Sequence, residues 1–328
     1  MTTLLLSRAE VERLLTPDLC IAAVENAFRL LAEGKVPPPG ILGMQAGEGS
    51  FHVKAGFLTL DRPYFAAKLN ANFPGNGARH GLPTIQGALL LSDASNGAPL
   101  AIMDSMSITA LRTAAASAVA AKHLARQECE TLLIVGCGGQ APAQLQALLR
   151  VRKPRRVLVF DLDARRAAAF AASMVKDVTV ARDLPEAVGQ SDVIVTCTTA
   201  KHYLITRESV RPGTFIAAVG ADNEDKQEID PRLMAAAKVV TDVTEQASRI
   251  GDLHHAIGAG AMTREQLHAE LADVVGGRKA GRASADEIIV FDSTGTGLQD
   301  VAAAIAVYRK AIEGSAGVSF AFSEGRAA

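Results

Sequence analysis

The sequence predicts an α/β protein in which the middle of the chain forms a parallel, doubly wound sheet. Two observations support this: from residue 131 apolar strand-like runs alternate with helical patterns, and a glycine-rich turn directly follows the first run. Such alternation is typical of parallel strands joined by crossover helices. The predicted strands are Leu132–Val135, Val157–Phe160, Val178–Val180, Val193–Cys197, Thr214–Val219, Lys238–Thr241 and Ile288–Phe291.

The glycine-rich turn has the spacing of a dinucleotide-binding loop, Gly136-Cys-Gly138-Gly-Gln140-Ala141. Gly136 permits a tight turn, Gly138 permits close approach of a pyrophosphate, and Ala141 is small enough for the next helix to pack on the sheet. The N-terminus of that helix then presents N–H groups to the anion. The alternative is a glycine turn in an α/β domain that binds no nucleotide.

An acidic residue follows the second strand at the distance expected of a ribose ligand. Asp161 ends that strand about 20 residues after the turn, where a carboxylate binds the adenosine ribose hydroxyls. Because this acid repels a 2′-phosphate, the sequence favours NAD(H) over NADP(H). Arg165 and Arg166, just beyond it, are the features that would suit NADP(H).

Further polar residues follow the later strands, where open α/β sheets bind ligands. Thr198, Thr199 and Val219 are predicted to line the cofactor cleft, together with Ser293 in the turn Asp292-Ser-Thr-Gly-Thr-Gly. That turn could instead only cap the helix after it. Asp222 could move a proton to or from a substrate nitrogen, or it could be an ordinary turn or N-cap aspartate.

The remaining elements lie on both sides of this region. Strands are predicted at Phe51–Phe57, Ala66–Asn72 and Gly87–Ser92, and helices at Ser7–Leu15, Pro17–Glu33, Ser107–Arg126 and Leu298–Glu313. Ser7 and Glu10 form a capping box for the first helix. The tail from Gly314 is small and polar, so it is expected to be mobile.

The strands before residue 100 carry an alternating row of polar side chains. Lys68 and Asn70 share one face of their strand, and His52 and Lys54 share one face of theirs. Thr84 lies in the neighbouring Pro-Thr-Ile-Gln-Gly turn. Together they indicate a polar substrate pocket. The alternative is that these polar side chains simply face the solvent.

Arg112 lies in a helical segment whose neighbours are nearly all small or apolar, Ile108-Thr-Ala-Leu-Arg-Thr-Ala-Ala-Ala. A guanidinium buried there needs an anionic partner, because an unpaired buried charge is very costly. The partner could be an internal acid, for instance Asp104 or Asp93, or it could be a substrate carboxylate, which a guanidinium fork fits. The residues alone leave both alternatives open.

Composition excludes several other classes of protein. The net charge of −1 and the absence of a long basic run argue against a nucleic-acid or acidic-membrane partner. No signal peptide or membrane span is predicted, and Cys20, Cys129, Cys137 and Cys197 form no C-x-x-C pair, so a cytoplasmic location is expected. No metal site is predicted, since His254 and His255 are adjacent, which is poor geometry for binding one ion, and no acid–histidine cluster surrounds them.

Taken together, these segments resemble the ornithine cyclodeaminase/mu-crystallin family. The matching segments run in the family's order over nearly the whole chain: Lys68, Gly81-Leu-Pro-Thr-Ile-Gln, Pro99-Leu-Ala-Ile-Met-Asp, Leu111-Arg-Thr-Ala-Ala-Ala-Ser-Ala, Gly136-Cys-Gly-Gly-Gln-Ala, Gly220-Ala-Asp with Lys226-Gln-Glu, Gly276-Gly-Arg-Lys and Phe291-Asp-Ser-Thr-Gly.

The resemblance implies a Rossmann domain, residues 126–300, inserted into an α+β domain for substrate binding and dimerisation, residues 1–125 with 301–328. It implies a homodimer that uses a nicotinamide cofactor on a carbon–nitrogen bond next to a carboxylate. Carried over, Arg112 and Lys68 bind the substrate carboxylate and Asp222 is the acid/base group at nitrogen.

The chain departs from the family pattern at two places. Many members have a carboxylate-binding arginine after the proline-rich loop, where this chain reads Pro37-Pro-Pro-Gly-Ile-Leu. Ornithine cyclodeaminases also carry an acid upstream of the position of Lys68, where this chain has His52-Val-Lys54. Lys54 is therefore the candidate replacement for the arginine, and a cationic substrate side chain is disfavoured.

The sequence thus predicts an NAD(H)-dependent reductase of a small imino acid, acting in reverse as an amino-acid dehydrogenase. The first alternative is a cyclodeaminase of the same fold, which releases ammonia and recycles its NAD. The second is a non-catalytic protein that only binds the nucleotide.

Overall fold

A computed structural model describes residues 2–174 and 177–322, which divide into two compact units. One unit comprises Met1–Arg112 with Thr296–Ala328, and the other comprises Thr113–Gly295. The sequence places the boundaries instead at 125/126 and 300/301. The first boundary falls inside one uninterrupted helix, Ser105–Leu124, so no Gly, Pro or charge run marks it in the sequence.

The first unit is built on a seven-stranded mixed sheet. Its strands are β1 (Thr3–Leu6), β2 (Gly40–Ala46), β3 (Gly49–Thr59), β4 (Pro63–Asn72), β5 (Ile85–Asp93), β6 (Pro99–Asp104) and β15 (Val318–Phe320). They lie in the order β15-β1-β6-β5-β4-β3-β2. The β1–β6 pair is parallel, and the other pairs are antiparallel.

One face of this sheet is covered by helices. The helices of the unit are α1 (Arg8–Leu14), α2 (Pro17–Ala32), α3 (Asn76–His80), the start of α4 (Ser105–Leu124) and α12 (Gly297–Glu313). The predicted capping box of Ser7 and Glu10 is present at α1. Helix α12 packs on β3, β4 and α2. Its first residue approaches the sheet so closely that a Cβ on Gly56 would lie 2.3 Å from the Gly297 carbonyl oxygen, so both glycines are required by this contact.

The second unit is built on an eight-stranded, all-parallel sheet. Its strands are β7 (Thr131–Val135), β8 (Arg156–Phe160), β9 (Thr179–Val180), β10 (Val193–Thr196), β11 (Phe215–Ala218), β12 (Lys238–Thr241), β13 (Ala269–Glu270) and β14 (Ile289–Asp292). They lie in the order β13-β12-β14-β11-β10-β7-β8-β9. The helices are the rest of α4, α5 (Ala141–Val151), α6 (Ala164–Ser173), α7 (Leu184–Gly189), α8 (Pro231–Ala236), α9 (Thr244–Ile250), α10 (Asp252–Gly258) and α11 (Leu271–Val275).

This strand order confirms the predicted doubly wound fold. The chain starts at β7, moves outward through β8 to β9, and returns to the other side of β7 at β10. The strand order therefore reverses between β7 and β10, which is where doubly wound sheets bind their ligands, beyond the carboxyl ends of the strands. The strands are almost wholly apolar and buried, as expected of a sheet covered on both faces.

The sequence prediction was wrong about part of the C-terminal tail. Val318–Phe320 forms β15, which pairs antiparallel with β1, whereas the whole tail from Gly314 was expected to be mobile. The strand is short and exposed and its partner lies at the other end of the chain, so local pattern carries no signal for it. The rest of that prediction, residues 323–328, lies outside the described residues.

Candidate functional site

The first group of candidate residues lies on the helix-covered face of the mixed sheet. Lys54 on β3 and Lys68 on β4 are direct cross-strand partners, and so are His52 and Asn70 two residues further along. Cross-strand partners share one face of a sheet, so the structure brings four of the predicted residues together. Lys68 is 3% exposed, whereas Lys54 is half-buried. The solvent-facing alternative therefore does not hold for Lys68.

Arg112 is buried in α4 and does have an internal acidic partner, which is Asp300 on α12. Its Nε donates to Asp300 Oδ1 at 2.9 Å, and its Nη1 donates to Gln299 Oε1 at 2.9 Å. The two acids considered from sequence are engaged elsewhere: Asp104 pairs with Arg8 and Asp93 pairs with Arg62. The internal ion pair is thus present with a partner that the sequence did not reveal.

Asp300 also holds Lys68, and with the same oxygen. Lys68 Nζ donates to Asp300 Oδ1 at 2.9 Å, and both side chains are almost fully buried. Burial opposes ionisation of Asp300, but the charges of Lys68 and Arg112 outweigh it and hold its pKa below the usual value. Asp300 lies in the first turn of α12, where the helix dipole also favours a negative charge.

The cluster of Lys68, Arg112 and Asp300 carries more positive charge than negative charge. Two buried cations share one carboxylate, and Lys54 is close enough to act on the charges of both Lys68 and Asp300. Burial, and then the neighbouring charge of Arg112, lower the pKa of Lys68 to about 7. Further negative charge at this place would therefore be stabilised.

Several buried polar atoms around this cluster have no hydrogen-bond partner in the described part of the chain. They are Thr109 Oγ1, Thr296 Oγ1, Gln299 Nε2 and Asp300 Oδ2. Buried polar groups are nearly always satisfied, by protein, water or ligand. The threonine hydroxyl groups and the Gln299 amide can donate to an anion, which the excess positive charge also favours, whereas Asp300 Oδ2 can only accept.

The side chains of His52 and Asn70 each form a hydrogen bond with a nearby serine hydroxyl group. Ser50 Oγ lies 2.9 Å from His52 Nε2, and Ser105 Oγ donates to Asn70 Oδ1 at 2.6 Å. Thr84 differs from the other candidates, because it lies in the exposed turn before β5. Its role in substrate binding stays a prediction.

In the second unit, the glycine-rich turn has the geometry that its sequence predicts. Gly136 adopts φ +95°, and a Cβ there would lie 2.8 Å from Thr198 Cγ2, so only glycine fits. Gly138 is exposed, and a Cβ added to it would meet nothing within 4 Å, so space for a ligand is present. Ala141 is fully buried where α5 meets the sheet. Gln140 stands at the N-terminus of α5 with its buried Oε1 unpartnered, so the turn fits a dinucleotide.

Asp161 follows β8 directly and supports the glycine-rich turn. One oxygen accepts the Cys137 N–H at 2.8 Å, and the other accepts the Asp163 N–H at 2.9 Å. Arg166 lies 3.8 Å from this carboxylate, so the positive charge of Arg166 is partly offset by Asp161. An acid at this place favours ribose hydroxyls over a 2′-phosphate.

The other predicted cofactor residues follow the ends of successive strands. Thr198 and Thr199 follow β10, Val219 follows β11 and Ser293 follows β14. The Val219 N–H donates to the Thr196 carbonyl, and the Ser293 N–H donates to the Ala218 carbonyl, each at 2.9 Å. These bonds continue the ladder beyond the strands and hold the residues at the carboxyl edge of the sheet.

Asp222 lies on the loop after β11, and its side chain is 53% exposed. Lys226, four residues further along the same loop, donates from Nζ to Asp222 Oδ1 at 2.6 Å. The side chain is therefore accessible to a ligand and has a cation beside it. This geometry suits proton transfer, and it also suits an ordinary turn aspartate.

Asp300 is the principal site residue that sequence reasoning missed. The signal that singled out Arg112, a charged residue in an apolar helix, also marks Asp300 in Leu298-Gln-Asp-Val-Ala-Ala-Ala. Two charged residues of opposite sign, each in an apolar helix, are candidates for a buried ion pair. Glu228 is fully buried beside Thr198, and in the sequence it stands out only as the last residue of the Lys226-Gln-Glu motif.

Two kinds of feature are absent from residues 2–174 and 177–322. No helix there combines the length and apolar character needed to cross a membrane. No cluster of three or more His, Cys, Asp or Glu side chains in the same residues is arranged to bind a metal ion.

Comparison with known proteins identifies the family. The model of the ornithine cyclodeaminase/mu-crystallin family matches residues 1–315. An alanine dehydrogenase of Archaeoglobus fulgidus is 38% identical over 324 residues, covering 98% of this chain and 99% of the relative.

Solved structures give the same result. An archaeal alanine dehydrogenase dimer with bound NAD superposes with a TM-score of 0.94 at 37% identity, covering 98% of this chain and all of the other. The Δ1-pyrroline-2-carboxylate reductase of Thermococcus litoralis, in complex with NADH and L-proline, has a TM-score of 0.91 at 35% identity, covering 96% of this chain and 99% of the other. The resemblance seen in the sequence motifs is confirmed, and the chain belongs to the ornithine cyclodeaminase/mu-crystallin family.

Proposed function

We propose that this chain is an NAD(H)-dependent reductase of a small imino acid, and in the reverse direction an amino-acid dehydrogenase. The observation that carries the proposal is the buried cluster of Lys68, Arg112 and Asp300, whose excess positive charge suits a carboxylate. The chain belongs to the ornithine cyclodeaminase/mu-crystallin family and is similar over nearly its whole length to relatives named as alanine dehydrogenase and pyrroline-2-carboxylate reductase.

The substrate carboxylate is bound by Arg112 and Lys68, with Lys54 beside them. Guanidinium and ammonium groups in a buried site form strong charge-assisted bonds to a carboxylate. Fixing the carboxylate orients the carbon next to it, and such positioning contributes up to about 7–11 kcal/mol to catalysis. Asp300 holds both cations in place, and its charge opposes the lowering of the Lys68 pKa.

A nicotinamide cofactor held at the dinucleotide turn would supply or accept a hydride at the carbon of the C=N bond. In reduction the nitrogen also gains one proton, and we assign its transfer to Asp222, directly or through water. Lys226 Nζ donates to Asp222 Oδ1 at 2.6 Å and so orients the carboxylate; in the oxidative direction Asp222 accepts the proton. Asp222→Asn is expected to lower kcat in both directions.

NAD(H) is the proposed cofactor rather than NADP(H). The neighbours hold NAD or NADH, in agreement with the sequence prediction. Asp161 at the end of β8 supports the same choice, because its carboxylate repels a 2′-phosphate.

The substrate side chain is proposed to be neutral or acidic. Ile41, from the segment that lacks the family's arginine, is the direct cross-strand partner of Lys54. This pairing supports the proposal that Lys54 supplies the missing charge. A cationic side chain, such as that of ornithine, would add to the positive charge already present.

We also propose a homodimer that forms through the outer face of the mixed sheet. That face carries exposed apolar side chains, namely Leu42, Met44, Phe51, Phe65, Leu69 and Leu90. So large an apolar face is unusual on a monomer, and the archaeal neighbour is a dimer. A cytoplasmic location and the absence of nucleic-acid or membrane partners stay proposals from composition.

A spectrophotometric screen tests the function. NADH and NADPH are each offered with pyruvate plus an amine, with cyclic imino acids, and with oxaloacetate plus ammonia; ornithine and lysine are offered with NAD. The proposal predicts oxidation of NADH by a neutral or dicarboxylic imino acid.

Two outcomes would overturn the proposal in different ways. Ammonia release from ornithine without net change in NADH absorbance would show a cyclodeaminase. Tight NADH binding with no turnover across the panel would show a protein that binds the nucleotide without catalysis.

A further inference from the structure

A buried glutamate, Glu228, connects the ends of two central strands in the second unit. One oxygen accepts hydrogen bonds from Thr198 N–H and Thr198 Oγ1, both at 2.7 Å. The other accepts from Thr196 Oγ1 at 2.7 Å and from the Gly220 N–H at 2.8 Å. Three donors come from the last residue of β10 and the segment after it, and the fourth comes from the segment after β11, so a single carboxylate connects these two parts of the chain.

The glutamate is itself held from behind by a second carboxylate. Asp252 Oδ1 accepts the N–H groups of Glu228 and Ile229, at 2.8 and 2.9 Å. Asp252 is fully buried at the start of α10. Backbone and side chain of Glu228 are therefore both fixed, which is the arrangement expected of a residue that sets the position of others.

The carboxyl group of Glu228 faces four hydrogen-bond donors, of which the Thr198 and Gly220 N–H groups can only donate. Burial raises the pKa of Glu228 above its usual value, and the bonds from Thr196, Thr198 and Gly220 oppose that rise without reversing it. A carboxylate accepts at both oxygens, whereas an amide of the same shape presents an NH₂ group to one pair of donors. Gly220 also has to be glycine, since a Cβ there would lie 2.4 Å from Glu228 Oε1.

We infer that Glu228 is a positioning residue of the hydride-transfer site. It fixes Thr198 in the cofactor cleft and the Gly220–Asp222 segment that carries the proton-transferring carboxylate. The inference about Asp222 rests on the proposed function, whereas the inference about Thr198 needs only cofactor binding. The two parts therefore have separate readouts.

The test is Glu228→Gln, which keeps the side-chain shape and removes the charge. The NH₂ group of glutamine would face one backbone N–H, which then has no acceptor, and this is expected to weaken NADH binding, followed by NADH fluorescence, by about tenfold. It is also expected to lower kcat and to shift the pH profile of kcat. Glu224→Gln is the matched control, because Glu224 is an exposed glutamate on the same loop.

A purely structural role would lower the melting temperature of Glu228→Gln and leave the NADH dissociation constant, kcat and the pH profile unchanged in the folded fraction. That result would overturn the inference. If Glu228→Gln does not fold, Thr196→Val removes one of the four donors, and an unchanged NADH affinity in that variant would overturn it too. Failure of the proposed function would appear differently, as normal NADH binding by the wild-type protein without turnover of any imino acid.

Discussion

Arg112 and Asp300 form an ion pair buried between two apolar helices, with Nε 2.9 Å from Oδ1. The same oxygen accepts Lys68, while Oδ2 has no partner in the described part of the chain. An ion pair that served only stability would match its charges, because an unbalanced buried charge is costly. The imbalance is explained if the missing negative charge is the carboxylate of the substrate.

Removing the charge of Asp300 is expected to be severe. Asp300→Asn leaves Lys68 and Arg112 buried without a counter-charge, so the free energy of unfolding should fall by about 3–5 kcal/mol. Urea unfolding measures this. Glu313→Gln breaks an exposed ion pair with Lys310 on the same helix and should cost less than about 1 kcal/mol. Equal stability of the two variants would show that the cluster is not electrostatically coupled.

Carboxylate binding is expected to weaken as the pH rises through about 7. Burial and the charge of Arg112 lower the pKa of Lys68 to about 7, so the ammonium that binds the carboxylate is lost above that pH. Inhibition by a small carboxylate without an imine, such as propionate, should weaken by up to about tenfold per pH unit above 7. The Lys68→Gln variant should bind propionate weakly, and its inhibition should not change with pH in this range. The Lys310→Gln variant, which changes an exposed lysine, should keep the pH dependence of the wild-type protein. A flat wild-type profile would remove Lys68 from the carboxylate site.

Stability is expected to fall as the pH rises from about 4 to above 7, because of Asp292. Burial raises its pKa to about 7, and Asp242 and Glu228 add to the effect, although the Leu253 N–H opposes it. The folded state then binds a proton that the unfolded state has already released, so the stability present at low pH is lost as Asp292 ionises. Asp292→Asn, which resembles the protonated form, should remove this slope. The melting temperature measured between pH 5 and 8 checks it, and an unchanged slope would contradict the assignment.

Dimer formation is expected to depend on the apolar outer face of the mixed sheet. Leu69 is 46% exposed on β4, and burying a leucine contributes about 1.5–3 kcal/mol. Leu69→Lys should therefore shift the protein toward monomers in light scattering after size exclusion. Leu162→Lys is the control, because Leu162 is 85% exposed in the other unit. A Leu69→Lys protein that remains dimeric would place the interface elsewhere.

The doubly wound unit could be predicted from sequence almost strand by strand, because each of its inner strands is a local apolar run closed by a turn. The edges of the mixed sheet could not. β2 contains two glycines and is mostly exposed, and β15 pairs with residues more than 300 positions away. Local periodicity contains no information about such pairing.

Only part of the candidate site could be predicted from the sequence, because local pattern reveals a charged residue but not its partner. Arg112 stands out because a charge in an apolar helix demands a partner, but the partner is set by packing of α12 on the sheet. Gly56 and Gly297 allow that packing, and their role is visible only in three dimensions. The roles of Asp222, Thr84 and Lys54 stay predictions.

The most direct test of the central claim is the kinetics of Arg112→Ala, measured with the best imino acid from the screen and with NADH binding followed in parallel. If Arg112 binds the substrate carboxylate, kcat/KM should fall by at least about hundredfold, since a lost charged hydrogen bond is worth about 1.5–3 kcal/mol and a guanidinium makes two. The NADH dissociation constant should stay within about twofold of the wild-type value. Wild-type kcat/KM in the folded variant would contradict the account, because Arg112 would then serve only its ion pair with Asp300.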